Sequence, residues 1–123
     1  MWRRGRNAIA TRRRASAPVF AALGDETRLL LVAKLGGGQE HSIAQLTEGF
    51  KLTRQAITKH LRVMECAGIV HHARRGRESL FALDPEPIQE AKGYLEFVSA
   101  QWDQALGRLK SFVEDSGGKR RPR

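Results

Sequence analysis

The chain has 123 residues, with 22 Lys and Arg against 13 Asp and Glu and a single cysteine. That length suits one domain with a modest core. One cysteine excludes an internal disulfide and fits a reducing cytoplasm, and no apolar run approaches the ~18 residues of a membrane span.

The positive excess makes a nucleic acid the first partner to consider, and its placement sharpens that reading. Residues 1–14 hold six arginines and no acid, and residues 119–123 hold four basic side chains and no acid. Between these ends the charges nearly balance, yet residues 51–77 carry Lys51, Arg54, Lys59, Arg62, Arg74, Arg75 and Arg77 against Glu65 alone. A surface that faces phosphates would be sorted in this way. The basic start superficially resembles an organellar transit peptide but lacks an apolar face. Residues 1–16 are therefore expected to be a disordered basic arm and 116–123 a disordered basic tail, around a domain at 17–115.

In chain order, residues 17–23 predict a short helix with Pro18 in its first turn, where the missing N–H costs nothing, ended by Gly24. Asp25 caps a second helix over 26–35, with Leu29, Leu30, Val32 and Ala33 as buried positions, and the Gly36-Gly37-Gly38 run stops it. Ser42 and Gln45 have the spacing of a capping box for a third, short helix that ends near Gly49. Thr53 caps a fourth helix, closed by Gly68 after Ala67. Residues 69–83 alternate weakly around Arg75-Gly76 and read as a hairpin. Pro85 and Pro87 then mark the start of one long helix, from about 86 to 115, whose end is signalled by Ser116-Gly117-Gly118. The fold class is mainly α with a small β-hairpin. Its order of short helix, turn, basic helix and arginine-tipped hairpin is that of a winged helix-turn-helix, which sets one helix in the DNA major groove and the wing beside it.

On the fourth helix, at 100° per residue, Ile57, Leu61 and Met64 share one stripe that must face the core. Gln55, Thr58, Lys59 and Arg62 cluster opposite, beginning at the N-terminal end that contacts base edges in this motif. Gln55 can pair bidentately with adenine, Arg54 or Lys59 can donate to guanine or phosphate, and Thr58 suits a phosphate or a thymine methyl. Thr53 and His60 complete the candidate reading helix, with His60 at the edge of the apolar stripe, either packed or bonded to backbone or phosphate. Arg74, Arg75 and Arg77 at the hairpin tip can contact phosphates or enter the minor groove. A solvated helix face and a merely soluble hairpin tip are the plainer readings of these two features taken singly. Cys66 reads as an ordinary thiol, with no second cysteine to form a site.

Along the last helix, Ile88, Ala91, Leu95, Val98, Trp102, Ala105, Leu109 and Phe112 step by alternating threes and fours. This unbroken heptad seam predicts a dimerisation helix. Tyr94, Phe97, Leu106 and Val113 widen its apolar surface.

At this point the residues resemble a known family. Phe20-Ala21-Ala22-Leu23-Gly24-Asp25-Glu26-Thr27-Arg28, the run Leu52-Thr53-Arg54-Gln55-Ala56-Ile57-Thr58-Lys59-His60-Leu61, then Ala67-Gly68-Ile69-Val70 and Arg75-Gly76-Arg77-Glu78 are similar to the arsenic-repressor (ArsR) family of bacterial winged-helix regulators. The resemblance spans about residues 17–115. It implies a sequence-specific DNA-binding transcription regulator: a homodimer, usually a repressor, on a palindromic operator, with first and last helices at the dimer interface. Phe20, Leu95, Val98, Trp102, Leu109 and Phe112 are the candidate interface residues.

Metal-sensing members often carry paired cysteines on the third helix, where this chain reads Ser42-Ile43-Ala44-Gln45-Leu46-Thr47-Glu48. Others use Asp, Glu and His on the last helix, which here has no histidine. His71 and His72 adjoin on a strand and so face opposite ways. No metal and no cofactor is expected, and the resemblance is to the non-metal branch, with Trp102 and Leu109-Lys110-Ser111-Phe112-Val113-Glu114 as its marks. The expected partners are double-stranded DNA and a second copy of the chain, with no membrane. The alternative is a winged-helix module for protein contact or for nonspecific DNA coating. An enzyme is not expected, because no nucleophile–base–orienter set appears and the glycine run lacks the lysine and strand–helix context of a P-loop.

Overall fold

Helix starts fall on side chains able to take up amides that a helix leaves unpaired. The Asp25 carboxylate accepts from the Arg28 N–H at 3.1 Å, and the Thr53 hydroxyl accepts from the Ala56 N–H at 3.1 Å. Ser42 and Gln45 form the reciprocal box, Gln45 N–H to Ser42 Oγ at 3.2 Å and Ser42 N–H to Gln45 Oε1 at 2.9 Å. In this computed structural model, which describes the backbone of residues 2–120 and the side chains of 8–116, the elements are α1 (Trp2–Leu23), α2 (Glu26–Leu35), β1 (His41–Ser42), α3 (Ile43–Thr47), α4 (Arg54–Cys66), β2 (Val70–Arg75), β3 (Glu78–Leu83) and α5 (Pro85–Arg120).

The end of α4 aims the wing. Gly68, at φ 77°, donates to the Glu65 carbonyl at 2.9 Å while Ile69 donates to Met64 at 3.0 Å. This paired closure needs a left-handed residue, which glycine supplies without a Cβ clash. The chain then enters β2, which pairs antiparallel with β3 from Val70↔Leu83 to Arg75↔Glu78. Gly76, at φ 63°, opens the two-residue connection between them.

A third strand, absent from the predicted hairpin, completes the sheet in the order β1-β3-β2. It is only His41–Ser42, paired with Phe81 and Leu80. Two residues carry no alternation to detect, and their pairing is imposed by β3.

The chain divides into two units at Ala91/Lys92, α5 running through both. The first unit holds the core: Val19 and Ala22 of α1, Leu31 and Leu35 of α2, Leu46 of α3, Ile57, Leu61 and Met64 of α4, then Ile69, Val70, Phe81 and Ala91. The stripe predicted for α4 is buried as expected. That predicted for α2 is not: Leu29 and Leu30 are about half exposed and Ala33 is exposed, while Leu31 and Leu35 are fully buried and Val32 packs beside them. Residues 29–33 are apolar on every side, so periodicity leaves the phase of α2 open and the neighbouring helices decide it. In the second unit Leu95, Trp102, Leu106, Leu109, Phe112 and Val113 are exposed. Two surface pairs, Lys92–Glu96 and Lys110–Glu114, run along it at helical spacing.

The helix bounds depart from the sequence pattern at both ends. Residues 2–16, expected to be a disordered arm, are helical and continuous with 17–23, and Pro18 lies inside α1. Arginine and alanine favour helix there, and Ser16 and Val19 are buried on one side. Pro18 and Arg14 are both exposed, so the hydrogen bond that Pro18 cannot make to the Arg14 carbonyl is missing on the solvent side of α1. Likewise α5 continues through Ser116-Gly117-Gly118 to Arg120. Glycine costs a helix about 1 kcal/mol but ends it only by taking the left-handed cap. Residues 121–123 of the expected tail, and the side chains of Arg3, Arg4 and Arg6, lie outside the described residues.

Candidate nucleic-acid interface

The exposed flank of α4 opposes its buried stripe. Thr53, Arg54, Gln55, Ala56, Thr58, Lys59 and Arg62, with Ile43 of α3, line one open groove of about 580 Å³. Ile43 is the member that sequence patterning misses, because its apolar side chain reads only as α3 packing. Gln55, Lys59 and Arg62 are exposed and Thr58 is half-buried. The groove opens at the N-terminus of α4, where unpaired amides give a partial positive charge, and the first turn holds no acid.

Two threonines there are committed differently. Thr53 uses an oxygen lone pair for its cap and keeps its hydroxyl proton to donate. Thr58 spends its proton on the Arg54 carbonyl at 2.7 Å, which leaves it an acceptor oxygen and a methyl group. Such a side chain suits a thymine methyl and not a phosphate.

Among the described residues no carboxylate pairs with Arg54, Lys59, Arg62, Arg74 or Arg77. These five cations remain uncommitted. Arg75 does not: its guanidinium lies 2.9 Å from Glu40 Oε1. Glu65, the one acid between 51 and 77, pairs with His72 Nδ1. The His72 ring also packs against Phe81, tilted by 33° with ring centroids 5.4 Å apart, and its pair with Glu65 joins the wing to α4.

The remaining histidines are occupied. His71 and His72 face opposite ways as expected, His71 Nε2 lying 2.8 Å from Asp84 Oδ2. That hydrogen bond, with the Glu86 N–H, holds the Asp84 carboxyl below its usual range. His60 departs from the rest of the candidate reading helix. It is turned from the exposed flank toward the start of α2, its Nδ1 lying 3.0 Å from the Arg28 guanidinium. The reason is its phase on α4, one position before Leu61 of the buried stripe. Among the described residues no three of His, Cys, Asp or Glu converge on a metal position, and no helix is long and apolar enough to cross a membrane. Cys66 is exposed.

A capped basic helix with an open, acid-free flank, preceded by a short helix and followed by a twisted hairpin, defines a winged helix-turn-helix DNA-binding protein. Residues 23–73 match the family model described as "Helix-turn-helix domain". The uncharacterized HTH-type transcriptional regulator YuzN of Bacillus subtilis is 38% identical over 85 residues, 63% of this chain and 92% of YuzN. The solved ArsR-like transcriptional regulator from Rhodococcus sp. RHA1 is 33% identical, with a TM-score of 0.72 over 84% of this chain and 94% of that one. The transcriptional repressor SdpR of Bacillus subtilis is 26% identical over 82 residues, 66% of this chain and 90% of SdpR. The chain belongs to the ArsR-like family of helix-turn-helix transcriptional regulators, and not to a family of enzymes.

Proposed function

We propose that this regulator is a cytoplasmic homodimeric repressor that recognises a palindromic operator, each subunit laying α4 in a major groove and its wing along the adjacent backbone. The observation that carries the reading is the flank of α4, exposed, free of acids and bearing three unpaired cations beside a glutamine. Gln55 and Lys59 read base edges, Arg54, Arg62 and Thr53 hold phosphates, and Thr58 meets a thymine methyl. Arg74 and Arg77 extend the contact from the wing, and Arg75 joins them by exchanging Glu40 for phosphate.

Two copies are needed for a two-fold operator. The exposed heptad of Leu95, Trp102, Leu109 and Phe112, with half-buried Val98, supplies an apolar face for a second copy, and half-buried Phe20 of α1 is a separate candidate contact. Repression is supported by the relative named as a repressor. Residues 17–115 carry both tasks, and the basic segments 1–16 and 116–123 add sequence-independent phosphate affinity with steep salt dependence.

The test is selection of bound fragments from random DNA by the full chain, followed by competition with random duplex. Recovery of a two-fold symmetric sequence that survives excess competitor supports the reading. Enrichment of nothing would leave a nonspecific coat.

A further inference from the structure

Arg28 stands where three helices meet. It lies in the first turn of α2, half-buried, with its backbone N–H on the Asp25 carboxylate at 3.1 Å. Its guanidinium reaches both ways. Nε donates to the Ala22 carbonyl, in the last turn of α1, one of the oxygens that a helix end leaves unpaired. The other arm, Nη1, lies 3.0 Å from Nδ1 of His60, midway along α4. A guanidinium only donates, so Nδ1 accepts and the ring proton sits on Nε2. Asp25 Oδ2 closes the cluster, 3.8 Å from the same nitrogen.

We propose that Arg28 and His60 are positioning residues for operator recognition: one guanidinium ties the reading helix to the C-terminal end of α1 and fixes the orientation in which Gln55 and Lys59 meet the groove. This rests on the reading of α4 as the DNA-reading helix. Elsewhere α4 is held by Ile57, Leu61 and Met64 in the core, where apolar burial is not directional, and by Glu65 on His72 at its C-terminal end. The planar, charged hydrogen bond adds a directional tie at the middle of the helix, toward α1. Bidentate base contacts demand placement within about 0.5 Å, which comes from a supporting shell and not from the contacting residues themselves. His60 therefore acts through Arg28 and not through phosphate.

The test measures fluorescence anisotropy of the full chain on the duplex recovered from random selection and on a shuffled duplex, well below each variant's melting temperature. Asparagine places an amide oxygen, the acceptor, near the position of Nδ1, and glutamine places an amide N–H, a donor, near that of Nε2. Arg28→Ala, Arg28→Lys and His60→Gln should each lose about tenfold on the selected duplex and stay within about twofold on the shuffled one, where phosphate charge governs binding. The conservative His60→Asn should restore the wild-type preference. A role in stability alone would shift melting and leave the preference intact, which would overturn the proposal. So would any other pattern in the His60 pair, and retention by glutamine with loss by asparagine would assign the ring to a phosphate through Nε2. The histidine pair decides the matter even if Arg28→Ala does not fold. A wild-type chain that cannot tell the duplexes apart would instead overturn the parent reading, and this proposal with it.

Discussion

Thr53 and Thr58 lie within two turns of each other and would offer DNA opposite chemistry in the proposed complex, one a free donor proton and the other a methyl beside a spent hydroxyl. Such detail decides which contacts carry sequence information. Gln55→Ala or Lys59→Ala should cost about 1–3 kcal/mol on the selected duplex. Either change should cost much less on random duplex, measured by anisotropy at fixed salt. A second residue-level expectation concerns acid. The Arg28 N–H holds Asp25 below its usual 3.8, and the His71 hydrogen bond does the same for Asp84. A depressed carboxylate contributes stability above its unfolded value and loses it as pH falls through the folded value. Stability should therefore decline from about pH 4 downward. Asp25→Asn and Asp84→Asn should each flatten that decline in thermal unfolding; an unchanged slope would remove these groups from the acid response.

At the scale of elements, α4 is held both by its buried stripe and by its cap. Leu61, fully buried, should cost about 2–5 kcal/mol as alanine, and Thr53→Ala about 1 kcal/mol through the lost cap. Chemical denaturation checks both. This helix was legible in the sequence because polar and apolar faces alternate cleanly along it, with a cap at one end and a left-handed glycine at the other. The wing was legible for a similar reason, the glycine turn between two alternating runs. Helix α2 was legible in extent but not in phase, since Leu29 to Ala33 offer no polar face to orient it. Helix α1 was cut short by Pro18, a local signal outweighed by helix formers before it and burial of Ser16 and Val19. Strand β1 exists only through its partner β3. Of the candidate site, the groove was legible from charge and spacing. The withdrawal of His60 was not, because Arg28 is distant in sequence and meets it only in the fold.

At the scale of the whole molecule, the first unit carries the proposed reading surface and the second an exposed apolar seam. Burying Trp102 at a contact between copies would contribute about 2–3 kcal/mol by area. Trp102→Ala should shift sedimentation toward monomer and weaken operator binding with it; an unchanged dimer would remove the seam from the interface. Gly107 lies on that helix with open space where a Cβ would stand, and nothing in a single chain explains it. The most direct measurement is equilibrium binding of the full chain to its selected palindrome and to a shuffled duplex of equal length at about 0.15 M salt. A dimeric reader should prefer the palindrome by about a thousandfold or more. Equal affinity for the two duplexes would contradict sequence recognition by the flank of α4.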